Sequence, residues 1–270
     1  MRLLQPAADA VVRWAAPRRV DPLWLVTLHG LFGLSAAGLI AASSPTPGGA
    51  APAGWWVAAV LLIAKAILDN ADGGLARAAG RVTRMGRYYD SGVDLIVNAA
   101  VFVALGRHLG AAPAVAGWAA STLVLSLDFN MERLYRAPRA SGVEPGPEPP
   151  MGAPAPLYRT FEGLYRLLLA PQDRGIERLD RALFHLAEGS PYARAPKAHR
   201  LAWSDLYSTA TLVDLGLSTQ TLALALALVA GRPGWFVAAL LLALVWALGV
   251  QLRRIARYRA YRRQDEETAA

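Results

Sequence analysis

Apolar runs of about twenty residues recur along the chain, and short polar segments separate them. A helix needs about 20 apolar residues to cross a bilayer, so each run is long enough, or nearly so, to span one. The runs occupy residues 23–42, 55–77, 88–106, 113–127, 208–230 and 235–252. This pattern predicts an all-α integral membrane protein with six transmembrane helices, the fourth continuing as a helix towards Tyr135. Small residues in the first run allow close helix approach, namely Gly30, Gly33 and Gly38.

The segments outside these runs have patterns of their own. In residues 1–21, arginines interrupt leucines, valines and Trp14, which indicates an amphipathic helix at the membrane interface and is too charged for a signal-peptide core. A Pro/Gly/Glu-rich linker over 137–156 precedes two short amphipathic patterns, which we interpret as interfacial or cytosolic helices. The expected divisions are 1–21, 22–136, 137–203, 204–252 and a basic cytoplasmic tail at 253–270.

Charge fixes the expected orientation in the membrane. Arginines and lysines number 4 in the N-terminal segment, 4 after the second run, 11 between the fourth and fifth runs and 6 in the tail, whereas the alternate loops carry only Arg107 and Arg232. By the positive-inside rule both termini are cytoplasmic. The net charge of +8 is thus explained by membrane topology rather than by nucleic-acid binding, and the absence of cysteine excludes disulfides and thiolate metal sites.

Four aspartates lie where the second run ends and the third begins. Asp69 and Asp72 are three residues apart, and Asp90 and Asp94 are four apart, so each pair occupies one helix face. If the two helices pack antiparallel, the four carboxylates meet at one end of the pair. Ionisable residues in a membrane span are costly and mark functional sites. Four charges of one sign also repel one another unless cations lie among them.

These residues belong to a longer motif. The pattern D-x2-D-G-x2-A-R-x8-G-x3-D-x3-D is matched at every fixed position, which are Asp69, Asp72, Gly73, Ala76, Arg77, Gly86, Asp90 and Asp94. The motif resembles the signature of the CDP-alcohol phosphotransferases, membrane enzymes that make phospholipids from CDP-activated precursors. Gly86 precedes the third run and is expected to let the turn close tightly.

The resemblance implies roles for these residues. Asp69, Asp72, Asp90 and Asp94 would share two divalent ions, and Asp94 would also be the general base. Gly73, Ala76 and Arg77 would line the site of the CDP donor. An all-oxygen site suits Mg²⁺ or Mn²⁺, whereas zinc would favour His or Cys, and neither occurs in the motif.

The expected function is transfer of a phosphatidyl group from CDP-diacylglycerol to the hydroxyl of a polar alcohol, with release of CMP. Glycerol phosphate, inositol or inositol phosphate, and serine are acceptors used within the family. One alternative is transfer of a CDP-linked headgroup to a lipid or polyol alcohol. Another is a non-catalytic membrane protein with a cation site. We expect a homodimer in a bacterial inner membrane, with the active site facing the cytoplasm.

Several polar residues near the motif have two interpretations. Lys65, four residues before Asp69, is favoured as a salt-bridge partner over a phosphate contact. Asn98 either points into the same cavity as Asp94 or bonds a neighbouring helix. The four histidines are scattered, and none has metal-ligand spacing. Polar residues at the end of the fourth run either bind the acceptor headgroup or, more simply, form a solvated helix end. They are Asp128, Asn130, Glu132 and Arg133, and Asp214, deeper in the fifth run, is a further acceptor candidate.

The arginine distribution yields a test of topology. A reporter fused after Ala270 should be cytoplasmic, and one inserted at Gly48 should lie on the opposite side of the membrane. Protease accessibility or a compartment-specific reporter enzyme would measure both positions. Two reporters on the same side would contradict the six-span arrangement.

Overall fold

The computed structural model describes residues 4–45, 50–139 and 156–269. The described residues are 85% helical, and no strand occurs among them. The helices are α1 (Gln5–Ala15), α2 (Pro22–Ala42), α3 (Ala53–Ala78), α4 (Arg84–Leu109), α5 (Ala111–Arg136), α6 (Pro156–Leu164), α7 (Ala170–Glu188), α8 (Lys197–Trp203), α9 (Leu206–Val213), α10 (Leu217–Val229) and α11 (Gly234–Ala269). A 3₁₀ turn, Ala137–Arg139, follows α5, and a π-helical turn, Tyr165–Leu169, follows α6.

Within the described part of the chain, five helices are long and apolar enough to cross a membrane, namely α2, α3, α4, α5 and α11. A sixth candidate consists of α9 and α10, which are separated by a short break at 214–216. The prediction of an all-α integral membrane protein is therefore confirmed. The fifth predicted span differs in detail because it is interrupted. Most of the expected linker, residues 140–155, and the turn at 46–49 lie outside the described residues.

Local sequence signals place the ends of the helices that carry the motif. Asp21 caps α2, its side chain accepting a hydrogen bond from the Leu23 backbone at 2.9 Å. Thr83 caps α4 in the same way through the Gly86 N–H at 3.0 Å. Gly86 thus lies within the first turn of α4 rather than before the helix. Between α3 and α4, Gly80 adopts a φ of +63°, which a glycine tolerates well and which lets the chain reverse direction.

Helix α2 packs against both α3 and α4, and glycines set its approach to α4. A Cβ atom added to Gly30 would lie 2.6 Å from Val93 Cγ1, and one added to Gly33 would overlap both methyl groups of Val97. These two glycines therefore have the close-packing role that the sequence predicts. Gly38 differs, because nothing lies within 4 Å of its added Cβ.

Two further elements cover the motif helices. Helix α1 packs on α3, burying Ala8 and Ala15 in one cluster with Leu75. Helix α6 packs on α4, where the Phe161 ring fills the space beside Gly92. An interfacial location of both elements stays a prediction, but their contacts place them next to the helices that carry the aspartates.

The chain divides into two compact units. The first contains α1 to α4, the start of α5, α6, α10 and the start of α11. The second contains the remainder of α5, α7 to α9 and most of α11. Its core holds a fully buried Arg254, which pairs with Asp180 at 2.5 Å and lies over the Trp203 ring. Since a buried charge is tolerated only with a partner, this pair fixes α11 against α7 and α8.

Glycine packing in α2 yields a prediction with an internal control. Gly33→Ala should force α2 away from Val97, costing about 1–3 kcal/mol by overpacking and lowering the melting temperature by several degrees. Gly38→Ala adds the same methyl group to open space and should leave the melting temperature unchanged or slightly raised. Thermal unfolding of both variants in detergent micelles measures the difference. Equal melting temperatures would show that the α2–α4 contact does not constrain the fold.

Candidate active site

The four motif aspartates come from two helices that share α2 as a neighbour. Asp69 and Asp72 lie in the last turns of α3, and Asp90 and Asp94 lie in the first turns of α4. Because α3 ends and α4 begins on either side of the Gly80 turn, both pairs lie towards the same end of the bundle. The convergence expected from their spacing is confirmed, although α2 takes part in it as well.

One residue outside the motif lies at the centre of these carboxylates. The fully buried His29 of α2 has its Nε2 atom 3.3 Å from Asp72 Oδ2, 3.4 Å from Asp90 Oδ1 and 3.9 Å from Asp69 Oδ1. Its Nδ1 atom lies 4.0 Å from Asp94 Oδ1. His29 therefore approaches all four aspartates, two of which are on each flanking helix.

This cluster contains buried polar atoms without hydrogen bonds. Both ring nitrogens of His29, Oδ2 of Asp72 and Oδ1 of Asp90 have no partner of hydrogen-bond geometry among the residues that the structure describes. Buried polar groups are normally satisfied, so these atoms call for an additional ligand. One donor atom each from His29, Asp69, Asp72 and Asp90 lies within 4.8 Å of the others. The donor set thus fits a divalent cation.

Lys65 neutralises part of the negative charge. The residue is 2% exposed, and its ammonium group lies 2.5 Å from Asp94 Oδ1 and 3.4 Å from Asp69 Oδ1. The favoured interpretation of Lys65 as a salt-bridge partner is supported, but its closer partner is Asp94 rather than Asp69. One buried lysine cannot balance four carboxylates, so the cluster retains a strong attraction for cations.

A large cavity opens beside the cluster. Its volume is about 840 Å³, within the range of small-molecule sites. Gly73, Ala76 and Arg77 line it together with Asp72 and Asp90. The other lining residues are Asp21, Pro22, Leu23, Val26, Gly80, Arg81, Val82, Thr83, Gly86 and Arg87. The lining of the cavity thus combines three carboxylates, three arginines and several apolar side chains.

The glycine and the arginine of the motif fit together on the wall of this cavity. A Cβ atom added to Gly73 would lie 3.4 Å from Arg77 Nη1, so the guanidinium group lies directly against Gly73. Arg81, also on the wall, forms an exposed ion pair with Asp21 at 3.7 Å. The arginines therefore lie where the cavity meets the polar ends of α2 and α3.

Comparison with known families agrees with this geometry. The sequence model of the family described as CDP-alcohol phosphatidyltransferase matches residues 22–170, more than half of the chain. The chain belongs to the CDP-alcohol phosphatidyltransferase family. The match runs from α2 to the first residue of α7 and includes His29, Lys65 and the four aspartates. No curated protein and no solved structure matches the chain significantly.

Membership of this family confirms the resemblance that the motif indicates and places the protein among membrane enzymes of phospholipid synthesis.

A second, much smaller cavity borders Asp94. Its volume is about 30 Å³, and Lys65, Asp94 and Asn98 line it with residues of α10. Asn98 Nδ2 donates to Ser121 Oγ at 3.0 Å, and Ser121 Oγ donates to Gln220 Oε1 at 2.7 Å. Both interpretations of Asn98 therefore hold, since it lines a cavity next to Asp94 and bonds neighbouring helices.

The acceptor candidates near the end of α5 have partners within the second unit. The amide of Asn130 donates to Asp173 at 3.0 Å, and Arg133 pairs with Glu177 at 2.8 Å. Glu132 pairs with Arg136 on the same helix at 2.5 Å. These contacts favour a structural interpretation for most of the group. Asp214 is the residue at the C-terminal cap of α9.

The sequence pattern did not predict that His29 joins the cluster, because the histidines have no metal-ligand spacing along the chain. His29 joins the cluster across helices, where spacing gives no information. A signal was nevertheless present. His29 is an ionisable residue inside an otherwise apolar run, and such residues face the interior of a bundle and mark sites.

Lys65 provides a test of the charge balance. Lys65→Met removes the ammonium group from Asp94 and Asp69, and leaving a buried ion unpaired costs about 3–5 kcal/mol. In chelator, we expect the melting temperature to fall by at least about 6 °C, and added Mg²⁺ should restore part of it by replacing the lost positive charge. Differential scanning fluorimetry in micelles measures both effects.

Lys197→Met is the matched control, because Lys197 is exposed at the start of α8. It should leave the melting temperature and its response to Mg²⁺ unchanged. If Lys65→Met behaved like this control, Lys65 would not be the counter-charge of the cluster.

Proposed function

We propose that the protein transfers a phosphatidyl group from CDP-diacylglycerol to the hydroxyl of a polar alcohol and releases CMP. The observation that carries this proposal is the position of the carboxylate cluster, at the edge of a cavity lined by the motif residues Gly73, Ala76 and Arg77. Glycerol phosphate, inositol or inositol phosphate, and serine are the acceptor candidates.

The large cavity suits the CDP donor in size and charge. Arg77 can bind phosphate oxygens through two parallel hydrogen bonds, and Arg81 and Arg87 add positive charge along the same wall. The small side chains at Gly73 and Ala76 leave room for the flat cytosine ring. Leu23 and Val26, which also line the cavity, offer an apolar surface that suits the start of the acyl chains.

The aspartates supply the oxygen ligands that a diphosphate site needs. Asp69, Asp72, Asp90 and Asp94 would hold two Mg²⁺ or Mn²⁺ ions, and the orphaned oxygens of Asp72 and Asp90 support this assignment. Bound ions would neutralise the diphosphate and the charge that develops on the departing CMP.

Asp94 is the proposed general base. It lies at the boundary between the cluster and the small cavity, and the hydrogen bond from Lys65 fixes the position of its Oδ1 atom. The carboxylate takes the proton of the acceptor hydroxyl as that oxygen forms a bond to the phosphatidyl phosphorus. The bond from this phosphorus to the CMP oxygen breaks, and the transferred proton stays on Asp94 until solvent removes it.

The arginine distribution supports a cytoplasmic location of the cluster, where CDP-linked donors are made. Arg81 lies in the turn between α3 and α4, and Arg87 lies in the first turn of α4, so both are close to the motif aspartates, as positive-inside topology requires. We also propose that the protein lies in a bacterial inner membrane, which reporter fusions would test. We propose further that it is a homodimer, which a mass measurement in detergent would test.

Substitution of Asp94 tests the role of the base. Asp94→Asn keeps the size and an oxygen ligand but removes the proton acceptor, so CMP release should fall by at least about 10²–10⁴-fold. Donor affinity should survive, because Arg77 and the other three carboxylates remain. Asp72→Asn should weaken donor and metal binding together. Measuring both CMP release from CDP-diacylglycerol and donor binding distinguishes the effect of Asp94→Asn from that of Asp72→Asn.

Asp9→Asn is the control, since Asp9 is exposed on α1 and should behave as wild type. Near-normal turnover of Asp94→Asn would remove the assignment of the base. Chelator-insensitive activity would remove the metal requirement. Assays with CDP-diacylglycerol and with CDP-linked headgroups test whether the donor carries the lipid or the headgroup. CMP release from the headgroup donors alone would contradict the proposal.

A further inference from the structure

We infer that His29 is a nitrogen ligand of a cation bound among the motif aspartates, and that it gives this site a preference for Mn²⁺ over Mg²⁺. The inference rests on the proposed function in one respect, since it assumes that the aspartates hold divalent ions. It adds a ligand from α2, a helix that lies outside the motif.

The distances around Nε2 of His29 support a shared ligand. Three carboxylate oxygens, from Asp69, Asp72 and Asp90, lie 3.3–3.9 Å from this one atom. Ligand bonds of about 2.1 Å place opposite ligands of one ion about 4.2 Å apart. The four donor atoms lie within 4.8 Å of one another, which is close to the span of the ligands around a single ion.

A simple hydrogen-bonding role explains the arrangement less well. A ring nitrogen carries at most one proton and therefore donates in one direction. Nε2 of His29 instead lies nearly equidistant from Asp72 and Asp90, and neither contact has hydrogen-bond geometry. The fully buried ring has no other partner for either nitrogen within the described ranges. A cation accounts for these atoms together, because it contacts all of them from one point.

The packing of α2 holds His29 in this position. On its C-terminal side, Gly30 meets Val93, which lies between Asp90 and Asp94 on α4. On its N-terminal side, the Thr27 hydroxyl lies 3.0 Å from the Tyr89 hydroxyl, next to Asp90. The register of α2 against α4 is thus fixed on both sides of the histidine. Such rigid support is what a metal ligand on a neighbouring helix requires.

The nitrogen ligand bears on the choice of metal. Mg²⁺ is a hard ion that prefers oxygen and keeps several waters, whereas imidazole suits first-row transition metals. Of the two ions that the motif implies, Mn²⁺ accepts a nitrogen ligand more readily. The site would therefore bind Mn²⁺ more tightly, relative to Mg²⁺, than a site made of four carboxylates alone.

Pulsed electron paramagnetic resonance of the purified full-length protein with Mn²⁺, without substrate, tests the ligand directly. Wild type should show the nuclear modulation of a directly bound ¹⁴N atom, and labelling the histidines with ¹⁵N should convert it to the ¹⁵N pattern. His29→Gln should abolish the modulation. His185→Gln is the matched control, because His185 is exposed on α7, and it should retain the signal.

Competition between the two metals tests the preference. The concentration of Mg²⁺ that displaces half of the bound Mn²⁺ should fall by roughly tenfold or more in His29→Gln, the lower range of effects found when supporting ligands are removed. Unchanged competition would overturn the preference. Bound Mn²⁺ with no nitrogen modulation in wild type, a result that does not depend on any variant folding, would overturn the ligand assignment.

These outcomes are distinct from failure of the proposed function. Mn²⁺ bound without nitrogen modulation, together with metal-dependent CMP release, would refute the role of His29 and leave the transferase standing. If wild type bound no Mn²⁺ at all, both the metal site and this inference would be wrong.

Discussion

Charge repulsion among four carboxylates is the constraint on which this structure depends. Two unit charges 4 Å apart interact by about 4 kcal/mol at an effective dielectric constant of 20. Oxygen atoms of Asp69, Asp72 and Asp90 lie within 4.8 Å of one another, so their mutual repulsion is of this order. Within the described residues, Lys65 and His29 are the basic groups in contact with these carboxylates. Because one lysine and one histidine cannot balance four negative charges, the helices form a site that favours bound cations.

The fold brings these charges together through three helices rather than two. Helix α2 contributes no residue to the motif, yet its glycines let it approach α4 closely and place His29 between the two pairs of aspartates. The caps at Asp21 and Thr83 fix where α2 and α4 begin. The turn at Gly80 reverses the chain between the two helices that carry the carboxylates. Small and capping residues thus determine the geometry of the charged ones.

The limits of prediction from sequence follow from the same physics. Helical periodicity relates residues on one helix, so the pairing of Asp69 with Asp72 and of Asp90 with Asp94 could be predicted. Contacts between helices depend on their register, which periodicity does not define. For that reason the sequence did not show that Lys65 lies closer to Asp94, 29 residues away, than to Asp69. The position of His29 was missed for the same reason.

The position of α6 connects the helix that carries the last two carboxylates with the rest of the first unit. Phe161 fills the space beside Gly92, which lies midway between Asp90 and Asp94, and its ring packs edge-on against Tyr89 at 5.2 Å. Tyr89 in turn contacts Thr27, two residues before His29. Any side chain at position 92 would displace Phe161, so this turn of α4 is shaped by α6 on one side and by α2 on another. The proposed base and the proposed nitrogen ligand are therefore positioned by one packed layer, and the precision of the chemistry depends on apolar contacts that carry no charge themselves.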